Sequence, residues 1–190
     1  MKKGQNNFSH PPPWNITSST YLYDTWWLKL RIDKGIFLKT GKPIERSVIE
    51  RPSFVVIVPL LTHEMFVMTG QVRYGTQRYS LELPMGFIDD GEDPLHAAKR
   101  ELQEETGYSA EIWTNIGKQY SASGFTNQQI HFFLAQKLKS GEKHQDDEES
   151  LEILTKPRKQ VLAMIQRGEI HDTATIVAML RAQIFHFDKR

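Results

Sequence analysis

Three glutamates crowd one side of a predicted helix between residues 93 and 106. At 100° per residue, Glu101 and Glu105 stand one turn apart and Glu104 falls on the same arc, beside an apolar stripe that would face a core. Like charges four residues apart cost a helix a few tenths of a kcal/mol, so stability alone would favour a lysine at one position. A hard divalent cation removes this conflict, because Mg²⁺ takes oxygen ligands and binds carboxylates together with a substrate phosphate. The arc therefore predicts a Mg²⁺ site, and a solvated acidic face is the alternative.

The helix that carries these glutamates has clear start and stop signals. Asp93 can cap its N-terminus, Pro94 suits the first helical position, and Gly107 stands where a C-terminal glycine belongs. A predicted strand at 79–83 leads into a loop that runs up to this helix. The sequence thus predicts a strand, a loop and a helix that present carboxylates together.

From residue 86 to residue 108 the chain resembles the Nudix box, G-x5-E-x7-R-E-U-x-E-E-x-G-U, where U is a bulky apolar residue. Every fixed position is filled, by Gly86, Glu92, Arg100, Glu101, Leu102, Glu104, Glu105, Gly107 and Tyr108. Nine constrained positions at fixed spacing are far more specific than an isolated glycine motif. The resemblance implies an α+β fold, an α/β/α sandwich with a mixed β-sheet. It also implies metal-dependent hydrolysis of a nucleoside diphosphate linked to another group.

The family's residue roles extend to the metal and to water. The implied ligands of Mg²⁺ or Mn²⁺ are the backbone oxygen of Met85 and the carboxylates of Glu101, Glu104 and Glu105. Glu104 is also a candidate to orient the attacking water, whereas Arg100 and Glu92 are implied to brace the loop. Divalent ions neutralise diphosphate oxygens and lower the pKa of bound water. A carboxylate outside the metal shell can then take the proton.

The candidate for that proton acceptor lies in a polar loop before the last two predicted helices. Four consecutive acids occupy 146–149, and in the resembling enzymes a glutamate from a mobile loop at this place swings over the metals. Glu149 is the first candidate for the catalytic base or an extra metal ligand, and Glu148 is the second. A solvated acidic loop is the alternative.

The flanking segments are similar to those of ADP-ribose pyrophosphatases, and this likeness extends over residues 22–185. Arg73 matches an arginine that meets the substrate phosphates in those enzymes. Residues 48–52 and 168–172 also match. The predicted substrate-binding residues are Trp27, Arg51, Arg73, Glu82, Phe87, Ser123 and Gly124.

Two departures from that subfamily lie in the segment after the box. Ser123 stands where the subfamily carries a proline, and Gln128 stands where it carries a glutamate. Serine does not fix φ as proline does, and the amide of Gln128 carries no charge. We therefore predict cleavage of ADP-ribose, other nucleoside diphosphate sugars, or both, with a nucleotide sugar as the substrate partner.

The N-terminal part of the chain predicts an assembly. Residues 1–20 are polar and Pro-rich and favour a flexible arm, 21–50 a small β unit, and 51–190 the Nudix domain. A β unit of this size is not stable alone, and in the resembling enzymes it is exchanged between the subunits of a homodimer. There an aromatic residue of the partner stacks on the base; Trp27 or Trp26 could do this, or both could simply pack at the interface.

The composition of the chain excludes several kinds of site and partner. The chain has 190 residues, a net charge of +1 and no cysteine, which favours one domain with an extension and excludes disulfides, Cys-ligated zinc and thiol nucleophiles. It shows neither a basic track for nucleic acid nor an apolar run long enough for a membrane helix, so we expect neither partner and a cytoplasmic location. Further strands are predicted at 27–32, 36–38, 54–59, 65–74, 111–120 and 130–138, with a break at 33–35, and further helices at 158–167 and 173–186.

Two other functions compete with this interpretation. A nucleotide-sugar sensing module could keep the fold without the chemistry, although the intact set of Glu101, Glu104 and Glu105 argues against it. An RNA 5′-end or dinucleoside polyphosphate pyrophosphohydrolase would keep the chemistry. The isomerase branch of the family uses a cysteine, which this chain lacks.

Overall fold

The computed structural model describes residues 11–141 and 151–187, and the chain divides into two compact units. The first unit comprises the residues up to Arg51 together with the segment Ala122–Asn127. The second unit comprises Pro52–Ser121 and the chain from Gln128 onward. Each unit is described by itself below.

The first unit is a three-stranded antiparallel sheet. Its strands are β1 (Trp14–Asp24), β2 (Lys29–Phe37) and β3 (Lys42–Glu50), in the order β1-β2-β3. The prediction of a flexible arm over 1–20 is wrong from residue 14 onward, because β1 begins there. Threonine and aromatic residues in this stretch favour a strand, and the prolines that precede it masked that signal.

The predicted break at 33–35 is also absent, since β2 runs through it without interruption. Gly35 does not form a turn there. A Cβ at Gly35 would collide with the backbone oxygen of Asn15, so the glycine lets β1 approach β2 closely. The turn that does occur ends at Gly41, whose φ of 71° suits glycine.

The second unit is a mixed sheet with helices. Its strands are β4 (Phe54–Thr62), β5 (Met65–Arg73), β6 (Arg78–Glu82), β7 (Met85–Phe87), β8 (Tyr108–Tyr120), β9 (Gln129–Ser140) and β10 (Glu152–Pro157). Its helices are α1 (Pro94–Thr106), α2 (Arg158–Gln166) and α3 (Thr173–Ala182), and a π-helical turn (Gln183–Phe187) follows α3. The strand order is β10-β5-β4-β9-β8, with β6 paired to β5 and β7 to β4. Strands β4 and β9 pair in parallel and all other pairs are antiparallel.

Most elements of this unit follow the predicted positions, and the differences have local causes. The predicted helix at 173–186 ends at Ala182, where the hydrogen-bonding pattern changes to the π-helical turn. Strand β7 was not predicted, because Pro84 and Gly86 around its start are typical of a loop. Strand β10 follows the acidic segment and was not among the predicted strands.

Alternate residues of β4 enter two separate cores. Val55 and Ile57 pack with Leu102 of α1 on one face of the sheet. Val56 and Val58 pack on the opposite face, in the cluster that contains Ala178 of α3. A strand buried on both faces has a continuous apolar run, which is the pattern at this position. The predicted α/β/α sandwich with a mixed sheet is confirmed; among the described residues, every helix is too short or too polar to cross a membrane.

Candidate active site

Helix α1 is capped at both ends as its sequence indicates. The Asp93 carboxylate accepts hydrogen bonds from the backbone N–H groups of Leu95 (2.9 Å) and His96 (3.3 Å). At the other end Gly107 takes a left-handed conformation with a φ of 72°, and its N–H donates to the carbonyl of Gln103. These caps set the first and last turns, and thereby the direction in which the three glutamates project.

Arg100 connects the loop before α1 to the carboxylates on α1. Its Nη2 donates to the carbonyl oxygen of Phe87 (2.8 Å) and to Glu92 (3.0 Å). Its Nη1 donates to Glu101 (2.7 Å) and Glu104 (3.0 Å). The hydrogen bond with Glu92 is the largest of several that raise the pKa of Arg100. Arg100 therefore braces the loop, as its position in the motif indicated.

Glu92 is the matching acidic half of this brace. The hydrogen bond from Arg100 is the main cause that lowers the pKa of Glu92 to about 2, and hydrogen bonds with His96 and the Asp89 N–H add to it. A group with such a low pKa stays ionised at neutral pH and neither gives nor takes a proton there. Glu92 is thus a structural carboxylate.

Two of the box glutamates lie against the backbone at residues 85 and 86. Glu105 is 7% exposed, and its Oε2 accepts a hydrogen bond from the N–H of Met85 (3.1 Å). A Cβ added at Gly86 would collide with the carboxyl group of Glu101. The glycine of the motif is therefore required because the carboxylate occupies the space of a side chain. Glu104 differs, since its side chain is 44% exposed.

These carboxylates do not form a ready-made metal cluster. Across residues 11–141 and 151–187, no three His, Asp or Glu side chains are grouped closely enough to hold an ion. Glu101 and Glu104 turn toward Arg100, and Glu105 turns toward Met85. The donor set nevertheless fits a hard divalent cation, because it consists of oxygens alone and Gly86 makes room for one of the carboxylates.

Arg73 and Glu82 form a fork-shaped ion pair across β5 and β6. The Nε of Arg73 lies 3.0 Å from both carboxylate oxygens of Glu82, and Nη2 also donates to one of them. Burial is the largest single influence on the pKa of Arg73 and lowers it. The hydrogen bond with Glu82 and the charges of Glu82, Glu105 and Asp172 outweigh burial, so the pKa is raised. Glu82 is 2% exposed, and its carboxylate pairs with Arg73.

The predicted recognition residues of the first unit also come together in part. The guanidinium carbon of Arg51 lies 5.8 Å from the ring centroid of Trp27, which is the range of a cation–π contact. Ser123 and Gly124 are exposed in a turn of this unit, which the N–H of Ile49 holds through the carbonyl of Phe125 (2.8 Å).

Gln128 has a role that the sequence interpretation missed. Its side chain is buried, and its Nε2 donates to the backbone oxygen of Pro52 (2.8 Å). An ionised carboxylate cannot donate this hydrogen bond. The amide at this position therefore stabilises the second unit, a function that comparison with a substrate-binding glutamate could not reveal.

The predicted base, Glu149 or Glu148, lies outside the described residues and stays a prediction. The strand that follows that segment is held at its first residue. The Tyr79 hydroxyl crosses over Gly70 and donates to Glu152 (2.7 Å). This hydrogen bond raises the pKa of Tyr79 to about 12, so the phenol remains a donor throughout the physiological range.

Comparison with known proteins identifies the family. The family model described as NUDIX domain matches residues 50–172, well over half of the chain. The chain belongs to the NUDIX family. The ADP-ribose pyrophosphatase of Bacillus subtilis (strain 168) is 31% identical over 153 residues, which are 80% of this chain and 83% of that protein. A GDP-mannose pyrophosphatase of Yersinia enterocolitica is 33% identical over 129 residues, 66% of each chain.

The Nudix fold is supported by a solved structure as well. The crystal structure of an ADP compounds hydrolase superposes with a TM-score of 0.82 and covers 93% of this chain and 95% of that chain, at 21% identity. This likeness concerns the fold. Together with the filled Nudix box, these findings confirm that the chain is a Nudix hydrolase.

Proposed function

We propose that this Nudix hydrolase cleaves the diphosphate of ADP-ribose and of nucleoside diphosphate sugars, yielding a nucleoside monophosphate and a sugar phosphate. The observation that carries the proposal is the pair of Glu101 and Glu105 against the backbone at residues 85 and 86. Two relatives, an ADP-ribose pyrophosphatase and a GDP-mannose pyrophosphatase, support a nucleotide-sugar substrate.

The metal site of this proposal uses the oxygen donors around residues 85 and 86. Glu101, Glu105 and the backbone oxygen of Met85 would hold Mg²⁺ or Mn²⁺, with Glu104 as a further ligand or as the group that orients water. When bound, the ion neutralises diphosphate oxygens and lowers the pKa of bound water. Arg100 then keeps Glu101 and Glu104 within reach of the site through its Nη1 group.

Arg73 is the proposed contact to the substrate phosphates. Glu82 occupies its Nε and Nη2 groups, whereas its Nη1 group has no acceptor among the described residues. The side chain is 41% exposed, so a phosphate oxygen can reach this remaining donor. Because Glu82 is buried and fixed, it orients the guanidinium. Glu82 thus acts on the substrate through Arg73.

Recognition of the rest of the substrate is proposed for the first unit and its turn. Trp27 offers an aromatic face for the base and Arg51 a cation for the diphosphate, and the two lie in contact. The exposed turn with Ser123 and Gly124 is proposed to meet the sugar. In the second unit, Phe87 is the remaining residue proposed to contact the substrate. Its backbone carbonyl accepts a hydrogen bond from Arg100. A serine in place of proline leaves this turn less constrained, which supports acceptance of several sugars.

A homodimer is part of the proposal. Large apolar residues of the first unit are exposed, among them Trp26 at 78% and Leu22 at 66%. Apolar residues grouped in this way favour a protein partner, and a second copy is the partner that the resemblance implies.

The proposed location is the cytoplasm, which the absence of cysteine fits. The proposed base is Glu149, with Glu148 as the second candidate.

A panel of substrates tests the function directly. Purified protein is incubated with ADP-ribose, ADP-glucose, UDP-glucose, GDP-mannose and dinucleoside polyphosphates, with Mg²⁺ or with EDTA, and the products are identified by chromatography. We expect AMP and ribose 5-phosphate from ADP-ribose, a nucleoside monophosphate and a sugar 1-phosphate from the sugar nucleotides, and no turnover with EDTA. Binding of nucleotide sugars without turnover would instead establish the sensing module. Turnover confined to dinucleoside polyphosphates would replace the proposed substrate class.

A further inference from the structure

The short connection between β6 and β7 is anchored residue by residue from three different elements. The N–H of Leu83 donates to the hydroxyl of Thr175 in α3 (3.0 Å), which lies 92 residues later in the chain. The carbonyl of Pro84 accepts a hydrogen bond from the backbone of β4 (2.9 Å). The N–H of Met85 donates to Glu105 in α1 (3.1 Å). The backbone next to the proposed metal site is therefore held from α3, β4 and α1 together.

Thr175 is the least expected of these anchors, because it is a hydroxyl in a fully buried position. Its residue exposure is 0%, and Ala174 and Ala178 on the same helix are also buried. A buried hydroxyl without a hydrogen bond destabilises a protein, so a position that only fills space would favour valine. The hydrogen bond to Leu83 is what makes threonine suitable here.

The start of α3 fixes the place of this hydroxyl. Asp172 caps the helix and accepts a hydrogen bond from the N–H of Thr175 (2.6 Å). The backbone and the side chain of Thr175 are thus both engaged. A capped first turn with a buried residue leaves the hydroxyl little freedom to move away from Leu83.

A displacement at Leu83 would be transmitted to Met85, because the residue between them is a proline. Pro84 has a fixed φ, and the residue before a proline is restricted to extended conformations. The segment 83–85 therefore behaves as a stiff piece of backbone. A hydrogen bond at its first residue therefore contributes, with those at Pro84 and Met85, to where the carbonyl oxygen of its last residue lies.

We infer that Thr175 is a positioning residue for the metal site. Its hydroxyl holds Leu83 and thereby sets the position of the Met85 carbonyl oxygen, the proposed backbone ligand of the divalent ion. The inference rests on the proposed function, since it assigns Thr175 a role in the metal site of that proposal. Thr175 touches neither metal nor substrate in this role, so its loss should weaken metal binding.

A pair of substitutions separates the hydroxyl from the methyl group. Thr175→Val keeps the shape and removes the acceptor, whereas Thr175→Ser keeps the acceptor and removes the methyl. Mn²⁺ binding to the substrate-free protein is measured by electron paramagnetic resonance of free Mn²⁺, with thermal unfolding recorded for each variant. We expect Thr175→Val to weaken Mn²⁺ binding at least about tenfold, the lower end for residues that orient metal ligands. Thr175→Ser should stay within about threefold of the wild type, well short of that tenfold loss.

Val161→Ala is the matched control for stability. Val161 is fully buried in the core that α2 and α3 share with the sheet, and its side chain has no polar group, so this variant loses stability without removing a hydrogen bond to the 83–86 connection. We expect its Mn²⁺ affinity to equal that of the wild type. If Thr175→Val does not fold, Thr175→Cys takes its place, because a thiol is a weak acceptor and should weaken binding to an intermediate degree.

The outcomes distinguish this inference from the proposed function. A folded Thr175→Val protein with wild-type Mn²⁺ affinity would overturn the inference and leave the proposed hydrolase intact. Equal losses in Thr175→Ser and Thr175→Val would also overturn it, since packing of the methyl group would then explain both. A wild-type protein that neither binds Mn²⁺ nor depends on divalent ions for turnover would overturn the proposed function and the inference together.

Discussion

The two units of the chain differ in how they bury their own apolar residues. In the second unit, β4 is covered on both faces, by α1 on one side and by the α2 and α3 core on the other. In the first unit, every residue of β1 is exposed, and the buried residues of β2 are Asp33 and Gly35. One unit therefore contains the core that stabilises it, whereas the other presents apolar side chains that need a cover from elsewhere.

The same division separates the proposed roles. The proposed metal ligands Glu101 and Glu105 lie in the second unit and are held by hydrogen bonds, from Arg100 to Glu101 and from the Met85 N–H to Glu105. The proposed recognition groups Trp27, Arg51 and Ser123 lie in the first unit, where a cation–π contact and an exposed turn hold them. Changes at the metal ligands should therefore act on turnover, changes at Arg73 on binding of the diphosphate, and changes in the first unit on assembly and on the choice of substrate.

The largest effect is expected for Glu105→Gln. The amide keeps the shape of the side chain and can still accept the hydrogen bond from the Met85 N–H. The substitution removes only the negative charge of a proposed metal ligand. We expect kcat to fall at least about a hundredfold, a barrier increase of about 2.7 kcal/mol, with little change in Tm. Steady-state kinetics and thermal unfolding check this. A loss of less than about tenfold at unchanged Tm would mean that Glu105 is not a metal ligand.

Arg73→Lys should come next and should act mainly on KM. Lysine keeps the charge but lacks the planar guanidinium group. In arginine that group pairs with Glu82 and still has one donor for a phosphate oxygen. We expect KM to rise about tenfold, equivalent to about 1.4 kcal/mol, with a smaller change in kcat. Arg78→Lys is the matched control, because Arg78 lies opposite Arg73 on the neighbouring strand and is exposed. Equal effects of the two substitutions would remove Arg73 from the phosphate site.

Leu22→Lys tests whether the exposed face of the first unit is an interface. We expect wild-type protein to sediment as a dimer of the 22.0 kDa chain. The dissociation constant of the variant dimer should be about tenfold higher, because truncating or charging an important interface residue costs more than about 1 kcal/mol of binding free energy. Leu180→Lys is the control, because Leu180 is similarly exposed (59% against 66%) but lies on α3 of the second unit. Sedimentation of a fully active wild-type monomer at micromolar concentration would refute the dimer.

Glu92→Gln should have a smaller effect, and that effect depends on pH. The pKa of Glu92 is lowered to about 2 in the folded protein by Arg100 and further hydrogen bonds, against an ordinary value of about 4.3. Its contribution is therefore fully present above about pH 4.3 and is lost as pH falls toward 2. We expect the variant to unfold with about 1–3 kcal/mol less free energy at pH 7.

Denaturant unfolding of both proteins between pH 7 and pH 3 measures this difference. It should shrink steadily below pH 4.3, because the carboxylate then takes up a proton in the unfolded chain while it stays ionised in the folded protein. A difference that stays constant over the whole range would show that the charge of Glu92 does not stabilise the fold.

What the sequence could predict follows from the range of the interactions involved. The ends of α1 depend on Asp93 and Gly107, which act on their immediate neighbours, and the bracing role of Arg100 depends on residues within fourteen positions of it. The continuous apolar run of β4 likewise reports burial on both faces. Local patterns therefore sufficed for the box, its helix and the central strand.

The features that the sequence could not show depend on distant partners. The hydroxyl of Thr175 meets a backbone group 92 residues away, and the amide of Gln128 meets Pro52 at a separation of 76. Gly35 was interpreted as a break because its collision partner, Asn15, lies on another strand. No spacing rule within a single segment reveals such contacts, since they exist only once the strands and helices are packed.

The smallest effect is expected for Ser123→Pro, which sharpens the recognition side of the comparison. Ser123 is exposed in the turn of the first unit, and proline there fixes φ and stiffens the turn. We expect wild-type kcat/KM values for ADP-ribose and several nucleoside diphosphate sugars to lie within about a hundredfold of one another, or about 2.7 kcal/mol. The variant should shift that ratio toward ADP-ribose by a few-fold, because a stiffer turn accepts fewer sugar shapes while the diphosphate contacts of the second unit stay unchanged. Steady-state kinetics on the same substrates measures both quantities, with Ser121→Ala as a control just outside the turn. A wild-type preference for ADP-ribose above about a thousandfold, with no further change in Ser123→Pro, would show that the serine does not broaden specificity.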